Sequence, residues 1–167
     1  VQDVTVRVQA EKALQDLVAG TAAVTGDDFF PALVKYLSSA LGSSHTLISE
    51  LIDEQLCTRA FWSSDHLQPN FKHSAKRSAC QIALETGFYC HPSQVQQEFS
   101  DNLDLITLKA ESYLGIALKD STGQAMGVLC LLYDHPLTDV PRLRSILQIF
   151  AARAAAELAR ERATRAL

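Results

Sequence analysis

The sequence predicts an α+β fold: an antiparallel sheet with a helical bundle on one face and a pocket covered by loops and short helices on the other. Three observations predict it. Strand-like runs come in two adjacent pairs, and helical stripes stand at both ends of the chain. The central runs SYLGIALKD and AMGVLCLLYD are apolar almost throughout, where a sheet with one wet face would alternate. Both faces of that sheet therefore need cover, and only the flanking helices and the irregular stretch from Ala75 to Ala110 can supply it.

The first segment spaces Ala10, Leu14, Leu17, Thr21 and Val24 by three and four, a narrow helical stripe that needs a partner. Thr25 and Asp28 then signal a second helix, whose face is Phe30, Leu33, Val34, Leu37 and Leu41. Gly42 ends it, and Pro31 is tolerated in its first turn. From His45 the character becomes β-branched and aliphatic. TLISELID, a turn at Asp53-Glu54 and LCTRAFW read as a hairpin, with simple alternation placing Phe61 on the face of Cys57 and Arg59. Ser63 to Ser74 has no clean period and is expected as a surface loop.

A helix is expected from Ala75 to Thr86, with Ala79, Ile82 and Ala83 inward and Gly87 as its left-handed cap. Phe88-Tyr89-Cys90 is a strand fragment or buried turn. Short helical pieces follow from Pro92 to Gln97 and from Leu103 to Lys109. The two central strands join through Ser121-Thr122-Gly123-Gln124. Thr138 is expected to cap a long last helix with the stripe Leu143, Ile146, Leu147, Phe150, Ala154 and Leu158. Its end, ELARERATRAL, is largely polar and is read as outrunning the core, with Arg153–Glu157 and Glu161–Arg165 pairs supporting it in solvent. That implies a homodimer through Leu14, Leu17, Leu143, Leu147, Phe150 and Leu158.

The 167 residues suit one domain of about 100–200 residues. Fifteen basic against nineteen acidic side chains give a net charge of −4 and no reason to expect nucleic acid. With no apolar run of about 18 residues, no membrane contact is expected. Cys57, Cys80, Cys90 and Cys130 form no C-x-x-C pair, which fits a reducing, cytoplasmic setting. His45, His66, His73, His91 and His135 show no metal-site spacing, although a haem held by one histidine is compatible with it. No nucleophile-elbow or phosphate-loop motif is present. Glu111, beside an apolar strand, is read as an acceptor for backbone amides. Phe61, Cys80, Tyr89, Cys90, His91, Phe99 and Tyr113 are the candidate ligand-binding residues, on or near the elements expected to cover the second sheet face.

The run from Gly87 to Leu137, with Gly87, Tyr89, Cys90, Phe99, Asp101, Glu111-Ser112-Tyr113-Leu114-Gly115, Leu118, Asp120, Gly123, Gly127 and Leu129, resembles the second half of a GAF domain. The first half is in the family's order, so the resemblance spans roughly residues 25–160. VQDVTVRVQAEKALQDL resembles a PAS-domain exit and its helical linker, and ELARERATRAL a signalling helix. The resemblance implies a linker over residues 1–24, a sensory domain over 25–160 and the start of a downstream linker over 161–167. It further implies flanking PAS and output domains, such as those of a bacterial histidine kinase or cyclic-dinucleotide enzyme, and an unidentified small-molecule ligand without catalysis.

Departures from the family's patterns narrow this. The signature of cyclic-nucleotide-binding members has no counterpart, so neither cAMP nor cGMP is expected. Cys90-His91 is like the dipeptide of bilin-binding members but sits at a strand position, so covalent bilin is not expected either. Ser78-Ala79-Cys80 stands where Thr-Pro-Cys is common, and Ala117 where proline is common. Two alternatives remain: a domain kept for dimerisation with a vestigial pocket, and a free methionine sulfoxide reductase in which Cys80 and Cys90 meet.

Overall fold

The computed structural model describes residues 28–166 together with Val8 and Lys12. Leu14, Leu17 and the rest of the first expected helical stripe lie outside the described residues. In chain order the elements are α1 (Phe29–Leu41), β1 (His45–Ile52), β2 (Gln55–Ser63), β3 (His66–Leu67), β4 (Lys72–Ser74) and α2 (Ala79–Thr86). They continue with β5 (Phe88–His91), α3 (Val95–Glu98), α4 (Leu103–Thr107), β6 (Ser112–Lys119), β7 (Ala125–Tyr133) and α5 (Val140–Arg165). The strands form one antiparallel sheet in the order β3-β2-β1-β7-β6-β5, with β4 also on β2. The architecture is α+β, as expected.

α1 and α5 cover one face of the sheet. Phe29, Phe30, Leu33, Val34, Leu37 and Leu41 of α1 meet Leu143, Ile146, Leu147, Phe150, Ala154 and Leu158 of α5 in one core with Leu114, Ile116, Leu118, Leu129 and Leu131. This corrects the dimer expectation for Leu143, Leu147, Phe150 and Leu158. At 4%, 0%, 1% and 1% exposure they are already consumed by the core of the single chain. Tyr133 ties the layers together: its buried hydroxyl donates to the Leu41 carbonyl at 2.9 Å, and burial raises its pKa to about 12.

The end of α5 also differs from expectation, because it folds onto the sheet instead of projecting past it. Arg162 Nε lies 2.8 Å and Arg165 Nη2 3.1 Å from Glu50 Oε2 on β1, while Arg59 of β2 donates to Glu50 at 3.2 Å and to Glu161 at 2.6 Å. Glu157 receives Arg160. The expected linker boundary at residue 160 falls within a continuous helix. At the other end of α5, Asp139 and not Thr138 is the N-cap residue, and it caps without a side-chain hydrogen bond.

Ser63–Ser74, expected as a loop, holds β3 and β4. Both pair with β2 in a single register, with Ser63 opposite His66 and Cys57 opposite Lys72. It is one edge strand interrupted at Pro69-Asn70, where proline has no amide for the ladder. The turns entering β2 and β3 each carry two non-glycine residues with positive φ, Asp53-Glu54 and Ser64-Asp65. This is the twist that two-residue hairpins require.

Candidate functional site

The opposite sheet face carries a second core of Leu47, Leu56, Phe61, Tyr113, Val128, Cys130 and Leu132. It is covered by Ala75, Ala79, Cys80 and Ala83 around α2, and by Val95, Leu105 and Ala110 of the following segment. Alternation sorts the side chains of β7: Val128, Cys130 and Leu132 face this side, and Leu129, Leu131 and Tyr133 the helices. In β2 the alternation breaks. Ile48 pairs with Ala60 but Ser49 with Thr58, so Arg59 is the extra residue of a bulge. Arg59 consequently lies over the Phe30 ring, 4.9 Å from its centroid on the α1 side, while Phe61 joins the second core. The expected shared face of Phe61 and Arg59 is thus corrected.

α2 starts at Ala79, four residues later than expected. Arg77 has a positive φ of 58°, and Ser78 is the N-cap, its Oγ accepting from the Gln81 amide at 3.2 Å. Asn102 caps α4 by accepting from Asp104 N at 3.1 Å. Glu111 accepts the Gln94 amide at 3.0 Å, the backbone-acceptor role read from the sequence. His45 stitches α4 to the sheet. Its Nε2 donates to the Leu108 carbonyl at 2.8 Å, which leaves Nδ1 to accept from Ser63 Oγ at 2.8 Å.

Between these layers lies a small inner pocket with a cavity volume of about 30 Å³, which opens into the surrounding surface. Leu47, Phe71, Ala79, Leu105, Leu108 and Leu132 make its apolar wall; Cys80, Tyr113, Cys130, His73, Asn102 and Asp104 supply polar atoms. It shares His73, Asn102 and Asp104 with a wider outer cleft that adds Lys76, Arg77 and Asp101. The apolar chamber therefore has a charged mouth. His73 Nε2 is buried without a hydrogen-bond partner, and desolvation lowers the pKa of the ring, partly offset by Asp104.

The structure divides the sequence-read candidates. Cys80 and Tyr113 line the chamber. Phe61 backs it through an edge contact with Phe71, ring centroids 5.4 Å apart. Tyr89, His91 and Phe99 form a neighbouring aromatic group, with Tyr89 bridging to Tyr113 at 6.0 Å. Cys90 is corrected, since it faces away, packing with Phe88 against the α1–α5 core. Cys80 and Cys90 are therefore on opposite sides of the sheet, which removes the thiol pair that the sulfoxide reductase alternative required.

Sequence reading missed Phe71, His73, Asp104 and Leu105 as wall residues, because each lies on a segment without a clear period. His66 and His135 are surface residues bonded to Ser64 and Asp134. Among the described residues, no three His, Cys, Asp or Glu side chains group as metal ligands.

No family model and no curated protein matches the sequence. Solved structures do. The GAF domain of a phosphoenolpyruvate-protein phosphotransferase from Coxiella burnetii is 18% identical, with a TM-score of 0.77 over 96% of this chain and 98% of that one. The GAF domain of the Acinetobacter phosphoenolpyruvate-protein phosphotransferase is 14% identical, with a TM-score of 0.72 over 98% of each chain. The chain has a GAF fold. The chromophore-binding domain of Stigmatella aurantiaca bacteriophytochrome is also similar, at 12% identity and a TM-score of 0.70, over 95% of this chain and 61% of that one. In this GAF fold the pocket lies between the sheet and the α2–α4 cover. No described helix is long and apolar enough to cross a membrane.

Proposed function

We propose that this GAF-fold chain is a non-catalytic, small-molecule-sensing domain of a signalling protein, and that its ligand sits non-covalently in the outer cleft and reaches into the inner chamber bounded by Tyr113, Cys80 and Leu105. The observation that carries this reading is the apolar chamber with polar atoms at its rim, which shares His73, Asn102 and Asp104 with an outer cleft of about 380 Å³. The similar solved domains come from phosphotransferase and phytochrome proteins, which supports a regulatory setting.

A ligand acts through differential affinity for two arrangements of the domain. Here the cover, held to the sheet by His45 on Leu108 and within itself by Gln96 on Ala110, forms one wall of the chamber. Flanking PAS and output modules belong to this reading, as does a homodimer. The dimer rests on the Leu14 and Leu17 stripe of the sequence alone.

The test is a thermal-shift screen of small metabolites against the chain and its Ala79→Leu variant. Ala79 is buried at the chamber wall, so leucine fills space there. Compounds that raise the melting temperature of the chain but not of the variant are expected. Compounds that stabilise both equally would place binding elsewhere.

A further inference from the structure

The outer cleft, at about 380 Å³, has room for a small metabolite, whereas the chamber behind it, at about 30 Å³, holds only a short apolar group. Two segments carry the charge of the cleft, and they divide it by sign. Lys76 and Arg77, before α2, bring two cations, and Asp101 and Asp104, around the start of α4, bring two carboxylates. Lys76 also meets Glu54 at 3.3 Å, an exposed pair that holds it weakly. The side chains of Arg77, Asp101 and Asp104 have no hydrogen bond or ion pair among the described residues.

His73, Asn102 and Asp104 line both spaces and so form the passage between them. Asn102 Oδ1 accepts from the Asp104 amide at 3.1 Å, which leaves the side-chain nitrogen of Asn102 for another partner. His73 Nε2 is buried with no partner, a cost that a bound polar group would recover.

We propose that the cleft binds an α-amino acid with a short aliphatic side chain, its ammonium at Asp104 and His73, its carboxylate at Arg77 and Asn102, and its side chain in the chamber. This rests on the sensing role and names the ligand class. A dianion would set a second negative charge against Asp101 and Asp104, and a dication would oppose Lys76 and Arg77. An uncharged ligand would cover four charges and pair none. A zwitterion pairs both signs at once through charge-assisted hydrogen bonds. Burial lowers the pKa of His73, and a neutral ring has a lone pair to accept from an ammonium. The chamber admits roughly two water-sized groups, hence a side chain of about two carbons.

Isothermal titration calorimetry of the chain with L-2-aminobutyrate, butyrate and propylamine tests this, because the last two each lack one of the charged groups. Saturable binding of L-2-aminobutyrate is expected, with each analogue about tenfold weaker. Arg77 and Asp104 are exposed, so Arg77→Gln and Asp104→Asn should leave the melting temperature of the unliganded chain unchanged. Each variant is expected to bind the amino acid about tenfold more weakly, Arg77→Gln without affecting propylamine and Asp104→Asn without affecting butyrate. No binding of L-2-aminobutyrate, equal affinity for either analogue, or binding that neither variant weakens would overturn the proposal. The sensing role falls only if the thermal-shift screen also finds no compound that separates the chain from Ala79→Leu.

Discussion

Gly115 and Tyr113 show how one missing side chain shapes the chamber. Two residues apart on β6, they share a face, and a Cβ on Gly115 would collide with Tyr113, reaching Cε1 and Cζ at 2.7 Å. The glycine therefore lets the tyrosine lie flat along the strand and deliver its hydroxyl to Cys80. Gly127 is tighter still, because its Cβ would meet the Ser49 carbonyl oxygen of the neighbouring β1 backbone, which cannot rotate aside. Gly115→Ala is expected to cost about 1–3 kcal/mol, as overpacking does. Gly127→Ala should cost more, and urea unfolding of both variants checks the order. The reverse order would mean that Tyr113 is held more rigidly than the sheet. Tyr113 was legible as a wall residue from its place in an apolar strand. Cys130 was not, since apolar runs on both faces hide which parity looks into the chamber.

At the scale of elements, the buried carboxylate of Glu50 joins the C-terminal turns of α5 to β1 and β2. Burial pushes its pKa up, but hydrogen bonds and charge from Arg162 and Arg165 outweigh this and hold it below the ordinary 4.5. A carboxyl group lowered in the folded state stabilises above its unfolded pKa and loses that contribution as the pH falls through the folded value. Acid unfolding of the chain should therefore steepen below 4.5, and Glu50→Gln should remove that component. At neutral pH Glu50→Gln is expected to cost about 2 kcal/mol, between an exposed and a fully buried pair, because Arg162 and Arg165 are partly in solvent. A chain ending at Arg160 should lose a comparable amount by thermal unfolding. An unchanged melting temperature would return residues 161–167 to the role of a linker.

This clamp was invisible in the sequence, where ELARERATRAL reads as a solvated helix. Its partners, Glu50 and Arg59, are 112 and 103 residues before Arg162, and the Arg59 bulge that aims one of them obeys no periodicity. The elements with strong local signals were legible: α1 with its Gly42 cap, the hairpin at Asp53-Glu54, and the β6–β7 pair, whose turn Asp120 ties by accepting from Thr122 and Gln124. The β3–β4 edge was not, because a strand broken by proline carries no alternation across the break.

For the whole molecule, the two sheet faces do different work. The α1–α5 face holds the larger core and the terminal helix, and the α2–α4 face holds the chamber, the thiols and the charged mouth. A sensing domain needs this separation, since the cover can respond to an occupant while the first core keeps the fold intact. Leu105→Asp should uncouple them by putting an unpaired charge in the cover's buried anchor, abolishing ligand-induced stabilisation while the chain stays folded by circular dichroism. Global unfolding of that variant would show one cooperative core instead of two. The central claim, that the cleft and chamber together hold a small molecule, is tested most directly by native mass spectrometry of the chain as purified, set against its denatured mass. The expected result is an additional small mass on the native species that is lost on denaturation and missing from Ala79→Leu. The same retained mass on Ala79→Leu would contradict it.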